Sequence, residues 1–209
     1  MKEKSLQQTA RKIGINSSIF LFLSVVIFGV SLLFNEADLL SYVSSIIIAP
    51  LYLLVLCSLY YNVQEDKVIW IHISIIFGII YAVYCISNYY MQITFVRVND
   101  IGMNKEFIDV FSFQPGSFLF AQDMLGYSFI CISTIFAAPA FANSNLEKSI
   151  KIGLLIHGFM FVIPLIFPAI SFKGDTSGDE IGIYANILWS LVFAPIAMLI
   201  FLYFLKNKV

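Results

Sequence analysis

The sequence predicts an all-α membrane protein: one bundle of six transmembrane helices, residues 1–209, with both termini cytoplasmic. Three observations carry this. The chain is 60 % hydrophobic and 12 % charged, with a mean hydropathy of +0.89, whereas a soluble domain carries about 25 % charged residues. Six apolar runs follow one another, each near the ~20 residues that cross about 30 Å of hydrocarbon. Basic residues gather in alternate connections, the pattern of the positive-inside rule.

Residues 1–14 form a basic, polar head with Lys2, Lys4, Arg11 and Lys12, and the first apolar run spans 15–34. It exceeds the 7–15 apolar residues of a signal peptide, and Asn35-Glu36-Ala37-Asp38 makes a poor cleavage site, so it reads as a retained first span. The next spans are expected at 41–61, 68–92, 118–142, 149–171 and 183–205. Their connections are short except for 93–117, and six spans leave no room for a soluble domain.

Orientation follows from counting. With the N-terminus inside, the inner segments hold Lys2, Lys4, Arg11, Lys12, Lys67, Lys148, Lys151, Lys206 and Lys208. The outer segments hold Arg97, Lys105 and Lys173, and most of the acids. Nine against three sets the topology. Tyr60, Tyr61 and Trp70 would then form an inner aromatic belt, and Tyr89, Tyr90 and Tyr184 an outer one.

Within the long outer connection, Asn104 is placed to cap a short helix running to Phe113. Phe107, Ile108 and Phe111 group apart from Lys105, Glu106 and Asp109, so the segment would lie in the membrane interface or over the bundle mouth. Gln114-Pro115-Gly116-Ser117 reads as a turn into the fourth span, because Pro fixes φ and Gly frees it.

Polar groups inside spans are the candidates for function, because an ionisable side chain in hydrocarbon is expensive. Tyr81, Tyr84, Asn88 and Gln92 recur at helical spacing on the third span; Asp123, Tyr127 and Thr134 do so on the fourth, with Gln122 beside them. Antiparallel packing should bring Gln92 and Asp123 to one depth, with Arg97 just beyond and long enough to reach back to Asp123. The candidate polar site is therefore Asn88, Gln92, Arg97, Gln122, Asp123 and Tyr127. The competing reading of the amides is plain inter-helix hydrogen bonding, worth on the order of 0.6 kcal/mol each.

His72 and His157 are weaker candidates, in the inner halves of the third and fifth spans; two imidazoles with no acid at their depth make an incomplete metal site. Cys57, Cys85 and Cys131 sit in apolar runs and read as small hydrophobes. No metal and no cofactor is expected. Pro164 and Pro168 predict a kink in the outer half of the fifth span, opening space at the level of Asp123. Ala49-Pro50, Ala138-Pro139 and Ala194-Pro195 recur in the second, fourth and sixth spans, a weak sign of an internal repeat.

The chain has no Gly-x-Ser-x-Gly elbow, no His-Glu-x-x-His, no phosphate-binding glycine loop and no basic aromatic surface for nucleic acid. Catalytic residues are not identifiable on this basis. Tyr89-Tyr90-Met91-Gln92-Ile93-Thr94-Phe95-Val96-Arg97 and Phe120-Ala121-Gln122-Asp123-Met124-Leu125-Gly126-Tyr127 resemble a family of small prokaryotic six-helix integral membrane proteins with no known activity. There, a Gln-x-Thr segment precedes an Asp-x-Leu-Gly-Tyr helix. The resemblance covers about a fifth of the chain and implies a bacterial or archaeal cytoplasmic membrane, without a substrate or cofactor.

Three function classes fit these residues. The first binds or transports a small solute, ion or lipid through a polar cavity between helices 3, 4 and 5, open to the outside. The second is an intramembrane enzyme using Asp123, which needs another ionisable group within reach. The third is a structural or regulatory subunit of a membrane complex, which needs a polar or small-residue face turned to lipid. The lipid bilayer is the one partner the sequence requires.

Overall fold

The computed structural model describes residues 2–34, 38–99, 105–142, 144–170 and 176–206, and side chains in 4–34, 38–98, 108–142, 144–170 and 182–206. These residues are helical with short turns, and no strand occurs among them. Six helices are long and apolar enough to cross a membrane. They are α1 (Lys2–Ser31), α2 (Asp38–Tyr60), α3 (Val68–Met91), α6 (Phe118–Ala137), the broken pair α7 (Asn145–Phe159) and α8 (Val162–Ile170), and α9 (Thr176–Lys206). The third span continues through a π turn (Gln92–Val96) into the short α4 (Arg97–Asn99), and α5 (Lys105–Phe111) lies in the long connection. The first helix starts at Lys2, well before Ile15, because nothing in the polar head breaks it.

Each span packs on its neighbour in sequence, and α9 closes the ring against α1. The middle of the ring is filled by one aromatic cluster to which every span contributes: Phe28, Tyr52, Tyr81, Tyr127, His157, Trp189 and Phe193. Rings meet mostly edge to face at 4.7–6.3 Å between centroids, the geometry their quadrupoles favour. The outward faces are apolar, as Phe20, Ile76, Val83, Ile156, Phe159 and Leu191 illustrate. In lipid such a surface needs no covering.

The ends are pinned by backbone carbonyls that helices leave unpaired. Arg11 donates to the carbonyls of Phe204 at 2.6 Å and Leu205 at 3.0 Å, capping α9 with a cation. The Tyr203 hydroxyl donates to Asn62 O at 3.1 Å. Both contacts lie at the end expected to be cytoplasmic.

At the opposite end Ser117 N–H donates to Gln114 O at 3.0 Å, and Gly116 has φ 84°, a left-handed value costly for any side chain. Ser117 then caps α6, its Oγ accepting from Phe120 N–H at 3.1 Å. Asn104 and the side chains of Lys105, Glu106 and Phe107 lie outside the described residues; Ile108 is buried and Val110 exposed.

The fifth span breaks at Met160-Phe161, between α7 and α8. Pro164 has no N–H to offer Met160 O, and its ring crowds that carbonyl. The Ala-Pro pairs are not equivalent. Pro50 and Pro195 lie within unbroken helices, whereas Pro139 forms the terminal 3-10 turn Ala138–Ala140.

Candidate functional site

The interface of α3 and α6 sets the site. A Cβ built on Gly126 would meet Tyr84 Cβ at 3.1 Å, so the two helices approach as closely as a missing side chain allows. This contact fixes the register and brings Asn88 and Tyr89 to the level of Leu119 and Asp123.

Asp123 is 1 % exposed. The Tyr89 hydroxyl donates to its Oδ2 at 3.2 Å. Because Tyr89 has one hydrogen and gives it to the acid, the Tyr127 hydroxyl, 3.3 Å away, donates to Tyr89 in turn. Asn88 lies against the same carboxyl group and donates through Nδ2 to Leu119 O at 3.0 Å. Two acceptors, Asp123 Oδ1 and Asn88 Oδ1, are buried without a hydrogen-bond partner, as is Ser45 Oγ. A buried acceptor without a donor costs about 1–3 kcal/mol, and the Asn88 amide beside the carboxyl offsets part of that cost.

The candidates divide. Asn88, Asp123 and Tyr127 converge. Gln92 does not: it lies about one turn beyond Asp123 and donates to Phe111 O at 2.7 Å, holding the end of α5 to the third span. The expected common depth of Gln92 and Asp123 is corrected by the Tyr84–Gly126 register. Arg97 is exposed, eight residues beyond Tyr89 or about 12 Å along the helix. It makes no ion pair with Asp123; the ion pair among the described residues is Lys67–Asp66. Gln122, turned ~100° round the helix from Asp123, is half-buried and bonds none of these groups. His72 is exposed against the Tyr60 ring.

His157 is fully buried with Nδ1 2.9 Å from Thr134 Oγ1. Thr134 gives its hydrogen to Cys131 O at 2.8 Å, so the ring nitrogen donates to Thr134 and carries the proton on Nδ1. Its Nε2 and the neighbouring Trp189 Nε1 have no partner. Thr134 is eleven residues from Asp123 on the same helix, about 16 Å, so acid and imidazole do not meet.

Two spaces adjoin the site. A small apolar one of about 70 Å³ lies at the fifth-span break, lined by Met124, Tyr127, Met160, Pro164 and Trp189. It occupies the place where the kink was expected to open space, but no third-span residue lines it. The larger, about 240 Å³, lies at the end carrying the long connection, between α1, α2, α3, the Phe113–Pro115 turn, α6 and α9. Asp38, Ser41, Tyr42, Tyr89, Gln114 and Asn186 supply its polar lining, and Phe28, Phe113 and Phe120 its rings. Tyr89 thus has two faces of action: it forms part of this cavity wall and bonds Asp123 behind it.

Tyr89 is the member of this polar layer that sequence reasoning assigned elsewhere. Placed in the outer aromatic belt, it is instead 2 % exposed, whereas Tyr90 and Tyr184 are exposed. The signal was present: Tyr81, Cys85, Asn88, Tyr89 and Gln92 form the buried stripe, and Tyr84, chosen instead of Cys85, is half-buried against the Phe129 ring. Among the described residues no group of three or more His, Cys, Asp and Glu is placed to hold a metal ion. No protein-family model, curated protein or solved structure matches the chain.

Proposed function

We propose that this chain is a multi-pass protein of a prokaryotic cytoplasmic membrane that binds a small solute in the 240 Å³ cavity at its outer end, with Asp123 as the polar group beneath the cavity wall. The wider membership suggested by the Gln-x-Thr and Asp-x-Leu-Gly-Tyr segments is part of this reading, as is the placement of both termini inside. The helix α5 lies at the outer membrane surface beside the cavity mouth, held by Gln92. The observation that carries the reading is Tyr89, which lines the cavity and donates to a buried carboxyl whose second oxygen has no partner. A solute that alters the Tyr89 hydrogen bond alters the polar layer between α3 and α6.

Binding is favoured over catalysis because the groups around Asp123 are phenols, an amide and a thiol, and the buried imidazole is about 16 Å along the helix. A subunit role finds less support, because the outward faces are apolar. The test is water access. In a Cys57→Ser background, where Cys85 and Cys131 are each 1 % exposed, Ser41→Cys should react with a small water-borne thiol reagent added from outside. Failure of Ser41→Cys and of Asn186→Cys to react would contradict an outward-open cavity.

A further inference from the structure

We infer that the occupant of this cavity is a small organic cation, an ammonium group carrying a compact apolar body; the inference rests on the cavity reading just given and adds its chemical class. The described lining contains one carboxylate, Asp38, and no lysine, arginine or histidine. Tyr42, also in the wall, lies within electrostatic reach of both Asp38 and Asp123. Five of the other twelve lining residues carry aromatic rings. Tyr42 and Tyr89 stand 5.6 Å apart, Tyr89 and Phe113 6.0 Å, and Phe113 and Phe120 5.6 Å. An ammonium group within about 6 Å of such rings is held by their quadrupoles, and walls of aromatic rings with a carboxylate are how quaternary ammonium ligands are recognised.

The surroundings act in the same direction. The connections at this end of the bundle carry Glu36, Asp38, Asp100, Glu106, Asp109, Asp175, Asp179 and Glu180 against Arg97, Lys105 and Lys173. The excess of eight acids over three bases gives these segments a net negative charge, which gathers cations and repels anions. The orphaned oxygens behind Tyr89 are acceptors, so the deeper layer also favours positive charge. The volume of about 240 Å³ equals roughly eight waters at about 30 Å³ each, which suits a choline-sized group, free or at the head of a lipid. Rings and acid together disfavour the alternatives: an inorganic cation has no use for the apolar wall, and an anion meets no base in the described lining.

The experiment uses the full chain in neutral detergent, with Ser41→Cys and Asn186→Cys as reporters and Tyr184→Cys, exposed at the same end, as reference. Each is modified with trimethylammonioethyl methanethiosulfonate and with sulfonatoethyl methanethiosulfonate. The cation should modify the cavity cysteines at least about tenfold faster than the anion, after correction by the reference. Choline should slow the reaction, its neutral isostere 3,3-dimethylbutan-1-ol should not, and Asp38→Asn should remove the charge preference. Equal rates with both reagents, or equal protection by the isostere, would overturn the inference while leaving the cavity reading intact. No modification at either cavity position would overturn the cavity reading itself, and the inference with it. Repeating the assay in phosphatidylglycerol bilayers with and without phosphatidylcholine separates the sources. Protection by the choline lipid alone identifies a headgroup as the occupant, and lipid-independent rates identify a free solute; both keep the ammonium class.

Discussion

The Tyr89 hydroxyl donates to Asp123 Oδ2 at 3.2 Å, so the one acid buried among the described span residues is tied to a phenol and not to a base. That relationship joins the 240 Å³ cavity to the polar layer between α3 and α6. It also turns each neighbouring contact into a separate, measurable claim.

Topology is the first. Reporter fusions at Gln64 and Asn145 should read cytoplasmic, and fusions at Asp100 and Ser177 external, given nine basic residues against three. The reverse pattern would place the cavity on the cytoplasmic side.

The α3–α6 contact tolerates no added bulk. Gly126→Leu should lower stability by roughly 1–3 kcal/mol, since even a Cβ there meets Tyr84 at 3.1 Å. Thermal unfolding in detergent checks this, and a neutral result would mean that the helices are not in this register.

Gln92 acts on the long connection between α3 and α6 and not on Asp123. Gln92→Ala should speed hydrogen exchange in residues 105–111, because the bond to Phe111 O is lost, while leaving exchange around Asp123 unchanged. The expected stability loss is about 1 kcal/mol.

Arg11 caps the last helix. Arg11→Ala should fray residues near Phe204 and Leu205, and Arg11→Lys should restore only part of the loss because an ammonium lacks the guanidinium fork. Exchange rates at the end of α9 report it.

Much of the fold was legible because membrane spans are written in length and hydropathy. The turn at Pro115-Gly116 and the break before Pro164 were legible because proline and glycine act locally. The site was legible in part: Asp123, Asn88 and Tyr127 stand out as polar residues in apolar runs. Tyr89 was not, because a tyrosine near a span end has two stable settings, the interface and a buried hydrogen bond, and only packing chooses between them. Arg97 and Gln92 were misplaced because register depends on where Gly126 lets the helices touch. The cavity drew its walls from α1, α2, α3, α6 and α9, segments whose meeting no local pattern encodes.

The most direct measurement is a pair of double-mutant cycles on thermal stability in detergent. Tyr89→Phe and Asp123→Asn should be coupled by about 0.6 kcal/mol, the average for buried bonds between membrane helices, and by no more than about 1.7 kcal/mol. Arg97→Gln and Asp123→Asn should be additive, because Arg97 lies exposed and makes no ion pair with the acid. Coupling confined to the Tyr89 cycle is the predicted result. Additivity there, with coupling in the Arg97 cycle, would contradict the account and return Asp123 to a salt bridge at the membrane surface.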